Sequence, residues 1–109
     1  MPYGILRRFR RFKMPIVMIM KWKEVTREQY EKARKTVNWE GNVPKGALFH
    51  VAAFDKEGLR VTDLWETAED LDNFVKSRLM PGVRQIGIKS EPQVEVYPTH
   101  AVFSPGYKS

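Results

Sequence analysis

Two histidines, His50 and His100, and no cysteine occur in this chain of 109 residues, so proton-transfer, nucleophilic and metal chemistry have few places to start. His50 is the one with company. The segments Leu48-Phe-His-Val-Ala52 and Val61-Thr-Asp-Leu-Trp65 flank Asp55-Lys-Glu-Gly58, a turn signal between two apolar, strand-forming runs. If the strands close symmetrically about Lys56 and Glu57, facing residue numbers sum to 113. That sets His50 opposite Asp63, Leu48 opposite Trp65 and Ala52 opposite Val61. Directly opposed side chains have β-carbons about 4.5–5.5 Å apart, within reach of a hydrogen bond.

A carboxylate that holds one imidazole nitrogen orients the ring and leaves the other nitrogen free to move a proton. His50 and Asp63 are therefore the candidate catalytic residues, a general base and its orienting partner. Trp65, Leu48, Ala52 and Val61 are the candidate substrate-binding residues: the indole offers a flat wall and the small side chains leave room. The same pair serves equally well as a buried polar contact in which each group satisfies the other. A register slip of one residue would separate them.

The remaining inventory is mostly exclusion. Without cysteine there is no disulfide scaffold, zinc–thiolate site or iron–sulfur site, and two histidines leave no metal cage. No phosphate loop, G-x-S-x-G, H-E-x-x-H or dinucleotide fingerprint occurs, so no cofactor is expected. His100 lies in an apolar tail and is expected at an interface. The longest apolar run, Met14 to Met20, is far short of the roughly 20 residues that span a bilayer. Met14, Met18 and Met20 are expected as core filler.

The elements that must position His50 and Asp63 follow from patterning. Ile16 to Trp22 is a buried strand. Thr26-Arg-Glu-Gln29 has the form of a capping box, and Tyr30, Ala33 and Val37 continue at helical spacing. Asn38 to Gly46 is a loop of turn formers, with Trp39 a potential lid over a pocket. Ala47 to Phe54 and Leu59 to Glu66 are the hairpin strands. A second helix, capped by Thr67, carries the stripe Leu71, Phe74, Val75 and Leu79, is expected to break at Pro81 and Gly82, and resumes for a turn over residues 83–88. Pro92 to Tyr97 is the last strand. The order β-α-β-β-α-β is the ferredoxin-like pattern, an α+β fold with an antiparallel sheet and both helices on one face.

Net charge is +6, which invites a nucleic-acid partner, but its distribution argues otherwise. Residues 1–13 hold five basic and no acidic residues; removing them leaves 14 basic against 13 acidic. The sequence thus divides into a basic N-terminal arm, 1–13, expected to be flexible, and a single near-neutral domain, 14–109. Nucleic acid or membrane contact through the arm is not expected. The apolar stretch after the arm lacks a small-residue cleavage site, so the reading is a cytoplasmic protein. Phe49, Val51, Ala53 and Leu64 lie on one face of the hairpin and Leu48, Ala52, Phe54, Leu59, Val61 and Trp65 on the other, so both are apolar while helices cover only one, and an open sheet would be polar on the uncovered face. A homodimer through that face is the expected partner arrangement.

The stretch Gly58-Leu-Arg-Val-Thr-Asp-Leu-Trp-Glu-Thr67, running into Ala68-Glu-Asp-Leu-Asp-Asn-Phe74, resembles the dimeric α+β barrel superfamily, in its antibiotic biosynthesis monooxygenase-like branch. Trp65, Glu66, Thr67 and Phe74 match the branch's strand-to-helix pattern, and the resemblance extends over roughly residues 14–103. Leu-Phe-His-Val-Ala (48–52) with Val-x-Asp-x-Trp (61–65) is similar to a set of small uncharacterised bacterial members. The resemblance implies a homodimer with a small-molecule cavity between sheet and helices, holding Trp65 and, by parity, His50 and Asp63. Members include cofactor-independent oxygenases of aromatic polyketides, haem-degrading enzymes, isomerases and proteins without known activity. The haem-degrading branch needs a histidine after the tryptophan strand, and residues 67–88 contain none. Two readings stay open: a cofactor-independent monooxygenase- or isomerase-like enzyme using His50–Asp63 as base, and a non-catalytic protein that binds or senses a small organic ligand.

Overall fold

A computed structural model describes residues 15–107. The expectations for the basic arm and for Met14 fall outside them. Strand β1, Ile16–Lys23, alternates strictly, burying Ile16, Met18, Met20 and Trp22. Helix α1, Arg27–Val37, opens on the capping box: Thr26 Oγ1 accepts from the Gln29 amide at 3.1 Å, and Gln29 Oε1 accepts from the Thr26 amide at 3.0 Å. Two otherwise orphaned donors are satisfied reciprocally. Asn38 ends the helix at φ 57°, a left-handed conformation that asparagine tolerates better than most residues.

Strands β2, Ala47–Asp55, and β3, Gly58–Trp65, form the hairpin, its turn fastened by Asp55 Oδ1 accepting from the Glu57 and Gly58 amides. The register is the symmetric one from Asp55↔Gly58 to Phe49↔Leu64, with His50↔Asp63 and Ala52↔Val61 within it. The expected pairing of Leu48 with Trp65 is corrected. A bulge lies between Ala47 and Phe49, and Ala47 faces Trp65. The cause is an anchor at the other end of the strand: the Glu66 amide donates to Gly46 O at 2.8 Å and the Ala47 amide to Pro44 O at 3.2 Å. These fix the start of β2 one residue out of step with the turn, and the surplus residue leaves the ladder.

The second helical stretch also departs from expectation, because Pro81 and Gly82 do not break it. Helix α2, Ala68–Phe74, passes through a wide π turn, Val75–Leu79, into α3, Met80–Gln85. In that turn the Met80 amide reaches back five residues to Val75 O. Pro81 therefore falls in the first turn of a new helical register, where a missing N–H is least costly. Gly82 serves packing: a β-carbon there would lie 2.6 Å from Val37 Cγ2, so its absence lets α3 approach α1.

Strand β4, Gln93–Pro98, completes a sheet of order β2-β3-β1-β4, antiparallel throughout. This is the ferredoxin-like α+β architecture. One core unites the alternate residues of β1 and β3 with Ala33 of α1 and Leu71, Val75 and Val83 of the second helical stretch. Among the described residues no helix covers the other sheet face. On it Ile19, Phe49, Val51 and Tyr97 are 40–48% exposed. His100 is exposed, and Tyr107 in the tail sets its ring edge-on to Phe49 at 5.8 Å.

Gly46 joins the loop to β2 at φ 83°, and a β-carbon there would overlap the Asp70 side chain at the start of α2. Gly46→Ala is expected to lower unfolding free energy by about 1–3 kcal/mol in denaturant titrations. Gly106→Ala, in open space, is expected to leave it unchanged.

Candidate functional site

A cavity of about 130 Å³ lies between the buried sheet face and the helices. Met18 and Val61 form part of its floor, Ala33 and Leu71 part of its helical wall, and Trp39 and Pro44 belong to the loop over it. Among its lining residues only Tyr30, His50 and Asp63 are titratable; none is lysine, arginine or glutamate.

Those three side chains form one line of hydrogen bonds. His50 and Asp63 meet across the β2–β3 ladder, Nδ1 to Oδ1, at 2.7 Å. The indole Nε1–H of Trp65, two residues along β3 and so on the same face, donates to Asp63 Oδ2 at 3.0 Å. At the other end the Tyr30 hydroxyl meets His50 Nε2 at 2.7 Å. With the carboxylate ionised and the imidazole neutral, Nδ1 carries the ring proton, Nε2 accepts and the Tyr30 hydroxyl donates. The tyrosine and imidazole rings are parallel within 2°, their centroids 6.2 Å apart.

The second imidazole nitrogen is thus occupied by Tyr30 and not free as the sequence led us to expect. Tyr30 is the residue that sequence reasoning missed. Its one signal was a polar-tipped side chain on the inward stripe of α1. Of the sequence candidates, His50, Asp63, Trp65 and Val61 line the cavity, whereas Leu48 and Ala52 do not. Leu48 is thrown outward beside the bulge, 47% exposed, and Ala52 packs at the edge of the core.

Trp39 closes the line from above, its ring centroid 5.7 Å from Tyr30 and 5.5 Å from His50. Its loop is fastened by a two-pronged ion pair: Arg34 on α1 donates to Glu40 through Nε at 2.7 Å and Nη2 at 2.8 Å. Arg78 adds hydrogen bonds to Val37 O and Asn38 O. The Arg34 contact holds the Glu40 carboxyl below its ordinary range. Burial pushes the Tyr30 phenol up to about 12; Arg34 opposes this, while Glu31, Asp63 and Glu40 reinforce it. Near neutral pH the phenol keeps its proton. Among the described residues no group of three or more metal-ligating side chains occurs, and no helix is long and apolar enough to cross a membrane.

No family model and no curated protein matches the chain by sequence. Solved structures do match it by fold. A protein of unknown function from Nitrosomonas europaea superposes with TM-score 0.59 at 13% identity, covering 84% of this chain and 94% of that one. A hydroxynitrile lyase from Passiflora edulis gives 0.55 at 11% identity, over 84% and 99%. A monooxygenase from Streptomyces coelicolor, solved with nanaomycin D, gives 0.53 at 14% identity, over 85% and 93%. The chain has the α+β fold of antibiotic biosynthesis monooxygenase-like proteins.

Asp63→Asn keeps the shape but offers one acceptor where two donors converge. It is expected to cost about 1–3 kcal/mol of stability, read by chemical denaturation. At alkaline pH, Tyr30 remains protonated in the folded state up to about 12 against an ordinary 10. Its contribution to stability is therefore complete below pH 10 and is lost as pH rises through about 12. Tyr30→Phe should flatten that part of the melting temperature–pH profile, and identical slopes would contradict the burial of the phenol.

Proposed function

We propose that the protein binds a small organic molecule in the cavity and moves a proton on it, with Tyr30, His50 and Asp63 as one acid–base relay. The observation that carries this reading is the unbroken line Trp65–Asp63–His50–Tyr30 in the wall of an apolar cavity. In the forward step a C–H or O–H proton of the bound molecule passes to Tyr30 Oη as the phenol's own proton passes to His50 Nε2. The product is an imidazolium against the Asp63 carboxylate, and no phenolate accumulates. The step suits a cofactor-independent isomerase- or monooxygenase-like enzyme, in which the resulting anion rearranges or meets oxygen. That a lyase and a ligand-bound monooxygenase share the fold supports the reading.

A generic carbon acid tests the relay without a known substrate. 5-Nitrobenzisoxazole is neutral and planar; loss of its C–H proton breaks the N–O bond and gives a coloured cyanophenolate. The protein is expected to accelerate this opening over buffer, and Tyr30→Phe and His50→Ala to lower the rate at least about tenfold, within the range general-base catalysis supplies. A rate unchanged in both variants would leave a non-catalytic binding or sensor protein.

The bare sheet face supports a homodimer. Cross-strand rows Phe49–Leu64–Val17–Tyr97 and Val51–Thr62–Ile19–Glu95 form a contiguous patch, apolar but for Thr62, Glu95 and the Tyr97 hydroxyl. A face of this kind is stable in water when something covers it, and a second copy of the same face does so with closed symmetry. Light scattering is expected to give twice the chain mass of 12.8 kDa, and Val51→Arg to return it to the monomer. A monomeric wild type at micromolar concentration would contradict the proposal.

A further inference from the structure

We infer that the cavity selects neutral, planar ligands bearing an N–H or O–H group, which donate to the Tyr30 oxygen. The inference rests on the relay as read above and adds the polarity of what binds there.

Hydrogen-bond accounting carries it. Asp63 has one oxygen on His50 and the other on Trp65. His50 has one nitrogen on Asp63 and the other on Tyr30. With the imidazole neutral, the Tyr30 hydroxyl gives its hydrogen to Nε2, so the phenol turns lone pairs, and no hydrogen, to a ligand. Trp22, also in the wall, gives its indole N–H to Ser90 Oγ at 2.9 Å. A ligand that only accepts hydrogen bonds thus finds every side-chain donor at the relay engaged. Among the described wall residues, the indole N–H of Trp39 is the side-chain donor left over, and it belongs to the roof.

Charge and shape narrow the class further. The wall offers no lysine or arginine to an anion, and Asp63 lies in it; among the charges behind the wall that act on Tyr30, the Arg34 guanidinium is opposed by Glu31 and Glu40. An anionic ligand would lose its hydration and meet negative charge. A cationic one would also lose hydration, against a carboxylate that already accepts two hydrogen bonds. Trp39, Trp65 and Phe74 in the wall favour a flat ligand.

A matched set of probes tests this: indole, benzofuran of the same shape without the N–H, and indole-3-carboxylate. Affinities are read from shifts of the tryptophan indole resonances by NMR. Indole is expected to bind about fivefold more tightly than benzofuran, the worth of one net hydrogen bond, and more tightly than the carboxylate. Tyr30→Phe should bring indole to the benzofuran level, while Trp39→Phe should leave the preference in place. Equal affinities for indole and benzofuran in the wild type would overturn the inference. So would no binding of indole at its solubility limit, tighter binding of the carboxylate, or a preference that follows Trp39. These comparisons involve no proton transfer. A silent benzisoxazole assay therefore overturns the base reading, whereas lost donor preference overturns this inference.

Discussion

Asp63 occupies a strand position where the alternation of β3 calls for an apolar side chain. Leu59, Val61 and Trp65 on the same face are all buried, and the Asp63 residue is itself only 9% exposed. A carboxylate in such a place is tolerable only when its oxygens are engaged. The need fixes its surroundings in turn. Trp65 must present its N–H edge, which sets the ring against Phe74 on α2 at 5.4 Å. His50 must carry its proton on Nδ1, which leaves Nε2 as an acceptor. Tyr30 must then lie on α1 where its hydroxyl reaches that lone pair. One buried charge thereby couples the hairpin register to the rotation of a helix and to a tautomer.

The roof depends on weaker forces. The Arg34–Glu40 pair is exposed, and exposed ion pairs contribute little to stability. Its value is geometric, since a two-pronged contact fixes orientation as well as distance. Arg34 follows Tyr30 by one helical turn, so a single face of α1 carries both the end of the relay and the anchor of the loop above it. Arg78, from the π turn, fastens the same loop at Asn38 from the other side. The helical irregularity before Pro81 thus contributes to the ceiling of the site.

Much of this arrangement was legible in the sequence, and the misses share a cause. The capping box at Thr26, the turn at Lys56 and Glu57 and the opposition of His50 to Asp63 are local: each follows from spacings within one element or one hairpin. The bulge at Leu48 was not, because it arises where the loop anchors at Gly46 and Ala47 conflict with the register set at the turn. Pro81 misled because the rule it triggers assumes a uniform helix, and a π turn removes the conflict. Tyr30 escaped because no sequence period relates the rotation of a helix to the register of a strand. Its spacing from Ala33 reads as core, and its partner His50 lies 20 residues away.

A tyrosine at the end of the relay changes what the site can do. An imidazole facing the cavity directly would be a base in its own right, competing for water as readily as for a ligand. Placing a phenol between them keeps the cavity-facing atom neutral, since burial holds its ionisation far above neutral pH. In the proposed relay the oxygen accepts a proton only while it gives one to His50, and the charge forms on the imidazole beside Asp63, away from the apolar wall. The same separation accounts for the composition of the cavity. Under the proposed relay its surface stays apolar enough to take an organic molecule because His50 and Asp63 stand one and two hydrogen bonds behind the phenol oxygen.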